Sequence, residues 1–116
     1  MEYMLQKMEP TKVQLGDQEI PMLFSLRAAA EMEERLDTPY PQILRELFQQ
    51  HEEGEPEPPP MAWARQAEVV ACLVRGAGCE MSAETLMELH ITQFNTLCQG
   101  ALREILYKTP QSSKKK

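Results

Sequence analysis

Alternating apolar and polar residues near the start of the chain predict two short β-strands. Residues 12–15 and 18–24 each show this period of two, which places one face of a strand against a core. Gly16-Asp17 separates the two runs and is typical of a two-residue hairpin turn. Pro21 has no N–H to donate, so the second strand is expected at a sheet edge or bulged there. An isolated hairpin is marginal in water, so we expect it to pack on helices.

A period of 3.6 residues takes over after the hairpin and predicts four to five short helices. They are expected at 26–36, 39–50, 61–77, just after Ser82, and from Thr92 to Pro110. The last two could instead form one bent helix, broken near His90. Ser25 and Thr38 precede helical runs and are predicted N-caps.

The apolar stripes of these helices predict which side chains are buried. Leu26 begins the stripe of the first helix, and Trp63 is expected to anchor the third in the core. Cys72 falls opposite the stripe of its helix. Glu33 falls within a stripe, so it is expected either at a rim that reaches water or an Arg, or in a specific contact to a partner or a backbone amide.

Together these patterns predict a mainly α fold, with an N-terminal β-hairpin packed on a small bundle of four to five short helices. A flexible lead-in is expected at 1–11, one domain at 12–109 and a flexible basic tail at 110–116. The stretch at 52–60 contains four acids and four prolines, which favours an extended, solvated linker inside the domain.

Net charge limits the classes of partner, and the absence of long apolar runs limits the expected compartment. The chain has 116 residues and a net charge of −6, and three of its twelve basic residues are the last three. A nucleic-acid binder needs a basic face, so no nucleic-acid partner is expected. No apolar run reaches the length of a membrane span, and no signal peptide is recognisable, so we expect a cytoplasmic protein without a membrane partner.

Residues that could carry chemistry are scattered along the chain. Cys72 and Cys79 are seven positions apart, unlike the spacing of a zinc knuckle, and Cys98 lies on the last helix. His51 borders the acidic linker, and His90 is expected to end the short fourth helix, where an imidazolium meets the carbonyl dipole. Without a catalytic or phosphate-binding motif, we expect no enzyme activity, metal or cofactor.

Methionine is abundant and points to two alternatives. The eight Met residues either fill gaps in a small core or form an adaptable apolar surface for other chains.

Two segments carry a family resemblance. The run Val13-Gln14-Leu15-Gly16-Asp17-Gln18-Glu19-Ile20-Pro21-Met22-Leu23-Phe24-Ser25-Leu26-Arg27-Ala28 resembles the opening of the small tail assembly chaperones of tailed, siphovirus-like bacteriophages and prophages. The segment Ile43-Leu44-Arg45-Glu46-Leu47 resembles their second helix. Glu31 and Glu33 are the candidates for the Glu that this family carries inside its first helix.

The resemblance implies a non-enzymatic role in virion morphogenesis. Such chaperones bind the tape-measure protein, keep it soluble, help recruit tail tube subunits, and are absent from the mature virion. Many occur in two lengths through ribosomal frameshifting, and A-rich codons for Lys114-Lys115-Lys116 would suit a slippery site. The alternatives for these lysines are a solvated basic tail or residues added by cloning.

We expect partner binding at the hairpin edge, at Met-bearing helix edges and at the acidic rim, together with self-association. The predicted partner-binding residues are Ile20, Met22, Phe24, Glu33, Met61, Met81 and Met87. The competing hypothesis is a small acidic adaptor or inhibitor, encoded by a phage or bacterium, that binds one host protein.

Overall fold

The computed structural model describes residues 9–50, 52–56 and 59–108. An antiparallel hairpin is followed by five helices, which confirms the predicted mainly helical fold. The hairpin packs on α3 and α5, while α1 and α4 also pack against α3. The elements are β1 (Thr11–Leu15), β2 (Gln18–Met22), α1 (Leu26–Leu36), α2 (Tyr40–Phe48), α3 (Trp63–Gly76), α4 (Ala83–Leu86) and α5 (Ile91–Lys108).

The hairpin forms around the Gly16-Asp17 turn as predicted, with Gly16 at a φ of 65°. Pro21 pairs with Lys12 in an unbroken register, so the strand is not bulged. Hydrogen-bonded and non-hydrogen-bonded pairs alternate in an antiparallel ladder, and proline fits only the second kind. Pro21 therefore removes an N–H from the outer edge of β2, which opposes the addition of another strand.

A buried carboxylate connects the hairpin to the last helix. Glu104 is fully buried on α5, and its Oε1 accepts a hydrogen bond of 2.7 Å from the Thr11 hydroxyl. Its Oε2 accepts a hydrogen bond of 2.8 Å from the backbone N–H of Phe24. These two contacts hold the first residue of β1 and the chain just beyond β2 against one helix.

Gly100 allows β1 to approach α5 closely. A Cβ added at this glycine would lie 2.2 Å from Cγ2 of Val13, far inside van der Waals contact. Glycine inside a helix lowers the stability of that helix, and the close packing of α5 with β1 offsets this cost.

Two N-cap predictions had different outcomes. Ser25 caps α1 as expected and accepts a hydrogen bond of 3.2 Å from the N–H of Ala28. Thr38 does not cap α2, because its hydroxyl donates to the carbonyl of Leu36 and the helix begins only at Tyr40.

Three burial predictions were wrong. Leu26 is 86% exposed and Trp63 is 50% exposed, because each is the first residue of its helix and lies at the margin of the core. Cys72 is fully buried although it lies opposite the apolar stripe. Helix α3 is covered on several sides, by α1, α5 and the hairpin, so a one-sided stripe does not describe it.

The linker and the last two helices also differ from expectation. The linker is not extended throughout, since Glu55 donates its backbone N–H to the carbonyl of Glu52 in a turn with Gly54 at a φ of 90°. Helices α4 and α5 are separate. His90 lies before α5 rather than at the end of α4, and its Nδ1 accepts a hydrogen bond from the N–H of Thr92.

Several predicted features lie wholly or partly outside the described residues. The lead-in was expected to run to residue 11, but β1 begins at Thr11, one residue earlier than predicted. The rest of the lead-in before Glu9, His51, and the tail with Lys114–Lys116 lie outside the described residues. The frameshift interpretation stays a prediction.

We expect Glu104→Ala to lower the free energy of unfolding by about 3–5 kcal/mol. The substitution leaves a cavity and removes the acceptors of two hydrogen bonds. Glu104→Gln keeps the volume and should cost less, about 1–3 kcal/mol, since one donor still finds an oxygen. Urea unfolding measures both, with the exposed neighbour change Arg103→Gln as the control that should stay within about 0.5 kcal/mol. An unchanged stability of Glu104→Ala would contradict the role of this contact.

We expect Gly100→Ala to destabilise the fold by about 1–3 kcal/mol through overpacking against Val13. In the double variant Val13→Ala/Gly100→Ala, the change at Val13 removes the clashing methyl groups. The double variant should therefore lose less stability than the sum of the two single changes. A double-mutant cycle from urea unfolding measures this coupling, and strict additivity of the two changes would rule out the close contact.

Candidate functional site

Three exposed apolar side chains surround one cleft at the start of α3 and around α4. Trp63, Met87 and Ile91 are 50%, 55% and 53% exposed. The cleft has a volume of about 140 Å³, and we call it the Trp63 patch; its lining residues are Trp63, Leu86, Met87, Leu89, Ile91 and Phe94. Large exposed apolar side chains that converge on one place mark an interaction surface more strongly than scattered ones do.

The chain builds this patch from the ends of three elements. The Trp63 ring lies against buried Phe94 of α5, with ring centroids 5.9 Å apart and an angle of 58° between the planes. Ser82 caps the single turn of α4, accepting a hydrogen bond of 3.1 Å from the N–H of Thr85. That cap places Leu86 inward and leaves Met87 exposed. The patch is thus held by the core beneath it.

A second apolar cleft of about 130 Å³ lies between α2, α3 and α5. Its polar atoms are paired with one another. The Cys98 thiol donates to Oε1 of Gln66 at 3.3 Å, and the Gln66 amide donates to the carbonyl of Met61 at 2.7 Å. Glu46 and Arg65 form an ion pair of 2.9 Å that links α2 to α3 beside it. This cleft therefore offers apolar walls but few free polar groups.

Two of the three cysteines, Cys72 and Cys98, lie wholly or partly inside the core, while Cys79 is exposed. Burial raises the pKa of both Cys72 and Cys98 to about 11, so both thiols are protonated at neutral pH. Across the described part of the chain, no group of three or more His, Cys, Asp or Glu side chains could hold a metal ion. Among the helices described, none is long and apolar enough to cross a membrane.

Glu33 and Glu31 both make structural contacts. Glu33 accepts a hydrogen bond of 2.8 Å from the backbone N–H of Tyr40, the first residue of α2. A contact to a backbone amide was one of the roles predicted for Glu33. Glu31 pairs with Arg75 of α3 at 3.0 Å. Both acids of the first helix thus help to fix the neighbouring helices.

The predicted partner-binding residues are not brought together. Met22 and Met61 are 0% and 7% exposed, so both are core side chains and not surface ones. Met22 ends β2, which packs on α3. Ile20 and Met81 are half-buried in a shallow groove along β2. Phe24 is half-buried, with its ring 6.3 Å from that of Tyr40.

Of the seven predicted residues, Met87 alone lies in the Trp63 patch. The sequence analysis missed Trp63 and Ile91, which are the first residues of α3 and α5. The available signal was that both are large apolar residues close to predicted helix starts, at 61 and at Thr92, where a side chain can extend past the core.

Comparisons with known proteins add no relative. No protein family model matches the chain, and neither curated proteins nor solved structures give a match.

We expect Met87→Ser and Ile91→Ser to change the free energy of unfolding by no more than about 0.5 kcal/mol, because both side chains are mostly exposed. Leu86→Ala, at the floor of the same patch and 2% exposed, should cost about 2–5 kcal/mol. Thermal and urea unfolding of the three variants measure the contrast. A large loss of stability for Met87→Ser would show that the patch belongs to the core rather than to an open surface.

Proposed function

We propose that this chain is a non-enzymatic tail assembly chaperone of a tailed bacteriophage or prophage. In this role it binds apolar segments of the tape-measure protein in the host cytoplasm, keeps that protein soluble and helps recruit tail tube subunits. The observation that carries the proposal is the convergence of Trp63, Met87 and Ile91 around one open cleft. The resemblance of residues 13–28 and 43–47 to that family supports it from the sequence.

The physical mechanism is helix-in-groove binding. An amphipathic helix can place apolar side chains into a cleft of this kind, and a tryptophan at its rim supplies a large contact area. A cleft of about 140 Å³ holds one or two side chains, so a single contact is weak. Many copies along one long partner would then act together through multivalency.

The single tryptophan of the chain makes the proposal directly measurable, since Trp63 is both the only Trp and a patch residue. We expect that titration with the tape-measure protein of the same phage or prophage shifts the Trp63 emission to shorter wavelength and reduces its quenching by acrylamide. Met87→Ser and Ile91→Ser should each weaken binding about ten-fold or more through lost apolar burial.

Leu106→Ser is the matched control, because Leu106 is 52% exposed and lines no part of the patch. It should bind like the unchanged chain. Equal weakening by Leu106→Ser, or binding without a change at Trp63, would contradict the patch as the binding site. Binding of a single host protein at fixed low stoichiometry, with no affinity for the tape-measure protein, would favour the adaptor or inhibitor hypothesis instead.

A further inference from the structure

The chain around Met87 in the Trp63 patch is rich in exposed acids. Residues 76–102 contain three Glu and neither Lys nor Arg. Glu84 lies three residues before Met87 and Glu88 directly follows it, and both acids are exposed. In the described part of the chain, the ion pairs within 4.0 Å are Arg27–Glu31, Arg45–Glu55, Arg65–Glu46 and Arg75–Glu31, so neither of these acids is engaged in one.

A second groove shares Met87 with the Trp63 patch and also contains acidic side chains. Ala64, Glu68 and Glu84 line it together with Met87. Glu68 has its Oε1 shielded from solvent without a hydrogen-bond partner. A shielded carboxylate oxygen that accepts no hydrogen bond is unfavourable. The charge of Arg75 offsets part of that cost, and a cation brought into the groove would offset more of it.

Two arginines, Arg35 and Arg65, line this groove and equal in number the two lining acids, Glu68 and Glu84. Arg65 is held by Glu46 through hydrogen bonds of 2.9 and 3.1 Å to its two carboxylate oxygens. With Arg65 neutralised in this way, Arg35 is the remaining cation of the lining, against Glu68, Glu84 and the exposed Glu88 that follows Met87. The groove and rim therefore carry net negative charge next to the apolar cleft.

We propose that the Trp63 patch and the adjoining groove bind an amphipathic helix whose apolar stripe is bordered by Lys or Arg. This assignment rests on the proposed function and adds to it the charge of the recognised segment. Apolar side chains of the partner enter the Trp63 cleft, and its basic side chains lie opposite Glu84, Glu88 and Glu68. Charges at the rim of an interface direct specificity and the rate of association.

A second copy of this chain is the less favourable occupant. A symmetric contact through this surface would bring Glu84 and Glu88 of one copy toward the same residues of the other. Like charges brought together in this way repel, and the whole chain carries a net charge of −6. The predicted self-association would have to use a different surface.

The test compares two synthetic helical peptides that share one leucine stripe and differ only in its flanks, Lys in one and Glu in the other. Each is titrated into the full chain while Trp63 fluorescence is recorded. At about 50 mM salt we expect the Lys peptide to bind about ten-fold more tightly than the Glu peptide. At about 500 mM salt the preference should largely disappear, because exposed charges are screened.

Matched double variants test which acids produce the preference. Glu84→Gln/Glu88→Gln should reduce the preference for the Lys peptide to about three-fold or less. Glu19→Gln/Glu53→Gln removes the same charge from exposed sites that line neither cleft, and it should keep the preference. An equal loss in both double variants would overturn the assignment to this rim and attribute the effect to net charge.

The remaining outcomes separate the two proposals. Equal binding of both peptides by the unchanged chain would overturn the charge preference while leaving apolar recognition at the Trp63 patch in place. Binding of neither peptide would overturn both the charge preference and the apolar recognition on which the proposed function depends.

Discussion

The buried carboxylate of Glu104 is the contact on which the rest of the structure depends. A two-stranded hairpin is marginal alone, so it needs a fixed place on the helices. Glu104 supplies that place by accepting hydrogen bonds from Thr11 and from the N–H of Phe24, 93 and 80 residues away in the chain. A buried carboxylate is unfavourable without its donors, so the hairpin and α5 are stable only together. Gly100 lets the same strand and helix approach closely, and the docked hairpin then covers α3.

This arrangement also explains why the apolar surface lies where it does. The hairpin covers α3 and α5, while α4, a single turn, packs on α3 and lines the Trp63 patch together with the starts of α3 and α5. One turn is enough to bury Leu86, but it leaves Trp63, Met87 and Ile91 exposed. The open cleft is therefore a consequence of a short element at the end of a small core, and the core beneath it holds its side chains in place.

Sequence periodicity was sufficient for the hairpin, the helices and the cap at Ser25, because each depends on local spacing and local hydrogen bonds. It failed where burial depends on several neighbours at once. Cys72 is buried because α1, α5 and the hairpin cover α3 on several sides. An apolar stripe predicts burial on one side of a helix only. Glu104 lies three residues after Ala101 and seven after Leu97, so its spacing placed it on the buried face of α5. A carboxylate at such a position predicts burial only once its hydrogen-bond donors are known. The abundance of methionine does not show which Met residues are buried. The fold places Met22 in the core and Met87 in the Trp63 patch.

The physical character of the patch suits reversible binding. A cleft of about 140 Å³ buries little area, and exposed rim charges contribute weak, screened attraction, so a single module dissociates readily. Under the proposed function this weakness is useful, because a chaperone on a tape-measure protein has to leave when tube subunits arrive. Many modules on one long partner bind tightly as a set, yet each can be displaced singly. A deeper, fully apolar pocket would hold its segment more firmly and would oppose that replacement.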